Sequence, residues 1–222
     1  QSQRERATLP LCWDDKRNEW RKRYLYNKGC DDMVRAHLAR LEKLYKKNIS
    51  RDRAKSRLWT LDVWIKVLEQ IDFFDQTYTY QQACYCFCMA KMTVVDEVYS
   101  RDKHCNLTYV DFLEAICRLA EFKTLPNEEE LEEYHVTNVV DLIDALQESE
   151  CTWGQWLLAR PSPESRDLGP LDHRVEQLLI WMFYLLEKGN VRDPEKLLLK
   201  LLAATGREKE AKGKKLTRSK SM

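Results

Sequence analysis

Apolar residues in this chain recur at three- and four-residue spacing, and no two-residue alternation persists anywhere, which limits the chain to helices. After Thr60 come Trp64, Ile65, Leu68 and Ile71; after Thr108 come Phe112, Leu113, Ile116, Leu119 and Ala120. A Thr directly ahead of such a stripe satisfies orphan N–H groups of the first turn. Helices are therefore expected over residues 61–73 and 110–122. Asp31 and Asp32 are expected to cap another, running to Lys47 with Met33, Leu38, Leu41, Leu44 and Tyr45 as its stripe. Further helices are expected over residues 80–99, through the acidic run that opens at Glu128, over 171–188 ahead of Gly189-Asn190, and from Asp193-Pro194 to Ala204. Breaks fall at 75–79 and 100–106. The fold class expected is all-α.

Charge divides the chain more sharply than its formal net of +1 suggests. Residues 1–58 carry 17 basic and 8 acidic side chains, residues 59–206 carry 13 and 26, and residues 207–222 carry 7 and 2. Four regions follow. A basic N-terminal arm and helix occupies 1–58, a helix–loop–helix pair 59–126, and an acidic then apolar helical region 127–206, with a Pro-rich loop at 160–170. A basic tail without a core, expected to be disordered, occupies 207–222. Gln1 opens a polar stretch with no initiator Met or signal-like start, as expected of a piece of a longer chain. No apolar run is long enough to span a bilayer.

One segment carries chemistry. Ser100–Phe112 (SRDKHCNLTYVDF) has the outline of a calcium-binding EF-hand loop, with Leu107 at the apolar eighth position and Asp111 at the last. Asp102, Thr108 and Asp111 are its candidate metal donors. The first position is a neutral Ser100, the fifth is His104, and Cys105 replaces the glycine of the sharp turn, so the helix–loop–helix outline is stronger than the metal signal. No resident cofactor is expected, and calcium is the one ion the outline suggests. The expected partner unit is helix 61–73, break 75–79 and helix 80–99, with TYTY of the break lying beside Leu107–Tyr109. The pair then serves as a degenerate EF-hand scaffold, with Trp59, Trp64, Phe73, Phe74, Phe87, Phe112 and Leu119 in its core.

From Trp59 to Pro126 the words TLDVWIKVLEQIDFFD, MAKMTVVDEVY and LTYVDFLEAICRLAEFKTLP stand in order. LTYVDFLEAICRLA and the upstream VVDE resemble the EF-hand-like module of ciliary and flagellar axoneme proteins, nearest the C-terminal region of MORN-repeat radial spoke head proteins. The resemblance implies a non-catalytic structural component of the cytoplasmic cytoskeleton, located in the axoneme of a cilium or flagellum. It implies packing against other spoke or microtubule-associated proteins, and it offers no catalytic residues.

The rest of the chain fits a binding protein better than an enzyme. The four His residues are dispersed, and no phosphate-loop, zinc-protease or nucleophile-elbow motif occurs. Cys84, Cys86 and Cys88 sit in a predicted helix without partners for a tetrahedral site, so buried small hydrophobes in a reducing compartment are expected. Partner binding is expected on the apolar face Leu178, Leu179, Trp181, Met182, Phe183, Leu185 and Leu186. Docking to an acidic surface, microtubules included, is expected of Arg17, Arg21, Lys22 and Arg23 and of the tail residues Lys214 and Lys215. Two alternatives stand behind this reading. One is a calcium-responsive regulator. The other is an RNA-binding protein, which Trp13, Trp20, Tyr24 and Tyr26 among bases would suit, although no RNA-binding module accompanies them. No membrane partner is expected.

Overall fold

Helix–helix packing organises the described residues around one helix whose middle turns are buried. The computed structural model describes residues 13–49, 57–75, 77–160 and 168–188, with side chains from Lys16 onward. Helix α1 (Trp13–Trp20) runs into a single π turn, Arg21–Leu25, and is followed by α2 (Lys28–Asn48), α3 (Leu61–Gln70) and α4 (Tyr80–Ala90). Next come α5 (Arg101–Cys105), α6 (Tyr109–Phe122), α7 (Glu128–Glu133), α8 (Val139–Glu148), α9 (Trp153–Ala159) and α10 (Leu171–Lys188). Among the described residues there is no strand, so the all-α class holds. The expected helix from Asp193 and the basic tail, Lys214 and Lys215 included, lie outside the described residues. So does most of the 160–170 loop.

The central helix is α6. Every residue from Glu114 to Ala120 is buried, and α4 and α2 pack against it. Thr108 caps it as the sequence predicts: its hydroxyl accepts from Asp111 N, while the Asp111 side chain reaches back to Thr108, a reciprocal box. Thr60 caps α3 by accepting from Val63 N. Trp59, Trp64, Phe73, Phe87, Phe112 and Leu119 are buried as expected, and Phe74 is half-buried.

The loop pairing differs from the expectation. Leu107 pairs with Trp59, not with the 75–79 break: Trp59 N donates to Leu107 O at 3.0 Å and Leu107 N to Trp59 O at 2.8 Å, antiparallel. The two bridged residues each stand directly before a Thr cap, so the bridge sets the starts of α3 and α6 side by side. The bridge thus ties the segment ahead of α3 to the segment ahead of α6. Tyr45 locks this corner. Its ring stacks on Trp59 (5.5 Å, 5°), its hydroxyl donates to Leu107 O at 3.0 Å, and Trp59 Nε1 donates to Tyr45 O at 2.9 Å. The 75–79 break folds onto α6's end instead. Lys123 Nζ donates to Asp75 Oδ2 at 2.5 Å and to Phe73 O at 2.8 Å, and Asp75 Oδ1 accepts from Thr77 and Tyr78 N–H groups.

Other boundaries move for identifiable reasons. Asn27, not Asp31 or Asp32, caps α2, accepting from Cys30 N at 2.9 Å. Helix α4 stops at Ala90 instead of Tyr99, because Met92 N donates to the Asp111 carboxylate at 2.9 Å and the chain leaves the helical path there. Ser100–Asn106 holds the short helix α5 where a loop is expected. Residues 13–25, expected as a polar arm, form α1 and the π turn and pack on α6 through Arg21 and Glu114.

Beyond α6, Leu131, Leu142, Leu146 and Trp156 form a second apolar cluster from α7, α8 and α9. The buried Gln177 of α10 satisfies the start of α8, its Oε1 accepting from Val139 N at 2.8 Å. The chain divides after Tyr184: the residues through Tyr184 form one compact unit, and of the unit that begins at Leu185 only Leu185–Lys188 are described.

Candidate docking groove

A concave feature lies between α2 and α6. It is a groove of about 560 Å3 lined by Leu25, Tyr26, Asn27, Lys28, Cys30, Asp31, Val34, Met92, Val110, Leu113, Glu114 and Cys117. Local sequence explains its shape. The π turn and the Asn27 cap supply Leu25, Tyr26 and Asn27 to its lining, and the chain just past the end of α4 at Ala90 supplies Met92. Cys30 and Cys117 are buried at its floor, while Tyr26, Met92 and Val110 are exposed at 64%, 38% and 57%. Burial pushes both thiols up from the usual cysteine range, so they stay protonated and act as small apolar side chains.

Glu114, the one buried acid of the groove, is already spent on two guanidiniums. Arg21 Nε donates to its two oxygens at 2.8 and 3.0 Å, and Arg118 Nε donates to Oε1 at 2.9 Å. Side-chain exposure across the three is 2–4%. The Arg118 guanidinium also lies 4.0 Å from the Trp20 ring centroid.

This network corrects the basic docking surface expected near the N-terminus. Arg21 is 3% exposed and its Nη2 donates to Ala90 O and Lys91 O at 3.4 and 3.3 Å. Arg17 Nη1 also donates to Lys91 O, at 3.3 Å. Both therefore serve the carbonyl end of α4, where cationic donors are favourable. Lys22 and Arg23 are exposed, with Arg23 lying 5.1 Å from the Tyr24 ring centroid.

The apolar face expected to meet partners lies largely in the chain's own core. Leu178 and Leu179 are fully buried, and Trp181, Met182 and Phe183 are 8%, 1% and 5% exposed. Trp181 packs against Phe73 (5.5 Å) and Trp153 (5.1 Å), and Phe183 against His37 (5.9 Å) and the Arg40 guanidinium (4.0 Å). Helices α2 and α9 and the Phe73 turn cover what looked in sequence like an open face. Leu185 and Leu186 are half-buried.

The three candidate metal donors are not gathered. Asp102 is exposed on α5, and its carbonyl accepts from Asn106 N and Nδ2 at 3.0 and 2.9 Å. Asp111 is 2% exposed: Oδ1 accepts from Met92 N, and Oδ2 accepts from Thr108 N and Oγ1. Among the described residues no three His, Cys, Asp or Glu side chains come together as a metal set. The described cysteines are free thiols. Cys86 is buried under the Tyr78 hydroxyl at 3.8 Å, Cys84 is half-buried and Cys88 exposed.

Sequence reasoning missed Glu114, Arg118 and Lys123 as structural groups. The signal was there for one pair: Glu114 and Arg118 stand four apart inside an apolar run, where a charge is kept only if it is paired. No described helix is long and apolar enough to cross a membrane. No protein-family model matches the chain, and comparison with curated proteins and with solved structures returns no match.

Proposed function

We propose that this protein is a non-catalytic structural adaptor of a large assembly, the ciliary or flagellar axoneme that the resemblance implies, and that it receives a partner helix in the groove between α2 and α6. The observation carrying this reading is the groove itself, an open apolar trough with Tyr26, Met92 and Val110 exposed at its rim. An amphipathic helix presenting residues at i, i+4 and i+7 fits such a trough. The neighbouring segment 91–100 adds Val95, Val98 and Tyr99, exposed at 103%, 85% and 91%, and apolar surface of this kind gathers near protein interfaces.

A degenerate EF-hand-like pair is the scaffold in this reading. It is supported by the Trp59–Leu107 bridge and the matching Thr60 and Thr108 caps, which draw the two units as α2–α3 and α4–α6. Asp111, the last residue of the expected loop, already accepts three hydrogen bonds, which supports a scaffold that works without calcium.

Cross-linking mass spectrometry of the chain in ciliated-cell extract tests the proposal. Lys28, at the groove, should cross-link to axonemal proteins, and the Met92→Glu, Val110→Glu double variant should lose those cross-links while keeping its helical circular dichroism. Persistence of the cross-links in the variant would sink the groove as the docking site. Heat released on titration with micromolar calcium would favour the calcium-responsive alternative instead.

A further inference from the structure

Away from the groove, the second half of α2 carries a face that the adaptor reading does not use. The helix buries Leu41, Leu44 and Tyr45 and turns Ala39, Glu42, Lys43, Lys46 and Lys47 outward. These five residues line a shallow, open hollow. Positions three and four apart on a helix are neighbours at about 5–6 Å between Cβ atoms, so the three ammonium groups crowd one patch. Lys46 pairs with Glu42 at 2.6 Å, both well exposed, whereas Lys43 and Lys47 have no acidic partner among the described residues.

We infer that this face of α2 binds an acidic peptide segment of a partner protein. Charge complementarity selects an anion, and the details of the face select a peptide. Glu42 sits inside the patch, so an evenly charged backbone laid across it meets an acid. A peptide can place an uncharged residue there and set its carboxylates on Lys43 and Lys47. The small Ala39 side chain leaves room for a main chain to approach the helix. The hollow's lining holds no aromatic ring on which a nucleobase could stack, or which could anchor a lipid interface. This surface adds a second partner to the adaptor reading but shares no residue with the groove, so each fails on its own evidence.

Fluorescence anisotropy of a short labelled peptide in which glutamates are interrupted by alanine, against the full chain, is the test. Binding should weaken with added salt, and Lys43→Gln, Lys46→Gln, Lys47→Gln together should lower affinity on the order of tenfold. The tail variant Lys214→Gln, Lys215→Gln and the groove variant Met92→Glu, Val110→Glu should each stay within about twofold of the parent. Unchanged affinity in the triple variant overturns the inference, as does loss confined to the tail variant. Tighter binding of single-stranded RNA or phosphatidylserine vesicles, lost in the same triple variant, also overturns it. If the triple variant unfolds, Lys43→Gln, Lys47→Gln alone must still weaken peptide binding, or the inference fails.

Discussion

Glu114 holds two guanidiniums in a space that excludes water, and the balance there is set by what each partner would lose. Removing two ions from water is costly, and the pair repays that cost only because Arg21 and Arg118 approach with well-formed hydrogen bonds. Glu114→Gln would leave two buried cations facing a neutral amide. A loss of about 3–5 kcal/mol is expected in chemical denaturation, and a loss under about 1 kcal/mol would show that the network is not stabilising. Asp75 offers a second test through pH. Burial pushes its carboxyl up, but the Lys123 ammonium and hydrogen bonds from Lys123 and Thr77 outweigh that and hold it below the usual carboxylate range. A carboxyl with a depressed folded value contributes stability that is complete above its unfolded value, about pH 4, and is lost as pH falls through the folded one. The melting-temperature gap between the parent and Asp75→Asn should thus be full at neutral pH and close on acidification below about pH 4. A gap independent of pH would contradict the assignment. Glu114 carried a sequence signal only through its four-residue spacing from Arg118, and Asp75 carried none. Outside an apolar run a buried charge looks the same in sequence as a solvated one, and Arg21 and Arg17 looked like docking groups for that reason.

Three helices in this protein, α3, α7 and α8, end without the residue that normally marks an end. Asp72, His135 and Glu150 follow α3, α7 and α8 with φ of 53°, 55° and 59°, the left-handed region that glycine enters most readily. Each is closed by a hydrogen bond from the next residue back across the last turn: Phe73 N to Leu68 O, Val136 N to Leu131 O and Cys151 N to Leu146 O, at 2.9–3.0 Å. An L side chain in this conformation costs about 1 kcal/mol. Glu150 is exposed, so Glu150→Gly should raise unfolding stability by about 0.5–1 kcal/mol in urea titration. A decrease would mean that Glu150 makes a compensating interaction. The same absence of glycine explains which boundaries were legible. Helix starts were visible at Thr60 and Thr108, whose hydroxyls have one role before an apolar stripe. Helix ends were legible for α6 at Phe122 and for α10 at Lys188, ahead of Gly189, but not for α3 and α4, and α9 was missed altogether within its short apolar run. The loop partner was misplaced for a related reason. The break at 75–79 is next to the second unit in sequence, whereas the segment before Trp59 carries no acidic pattern, and only the repeated order of apolar residue then Thr links it to Leu107. Asp111 shows the deeper ambiguity. The last position of a metal loop and the third position of a capped helix are the same place in a sequence, and hydrogen-bond partners alone distinguish them.

Across the whole molecule, the basic N-terminal region and the acidic middle are not two separate surfaces. Part of the charge on each side is consumed where they meet, between Arg21 and Glu114, while Arg35, Lys43, Lys46 and Lys47 face outward on α2. The near-neutral total therefore reflects both internal pairing and segregation, which residue counts could not separate. The helical class and most of the core were legible because apolar spacing reports burial directly. The groove was not, because its lining comes from the π turn, α2, α6 and the chain beyond α4, and depends on where α4 stops. Arg21 and Glu114 lie 93 residues apart. During synthesis, at roughly 5–20 residues per second, Arg21 is made some 5–20 s before the carboxylate that neutralises it. Over that interval the first helices of the nascent chain carry an unanswered cationic edge, so early recognition by other molecules has a charge and a surface that the finished protein withdraws.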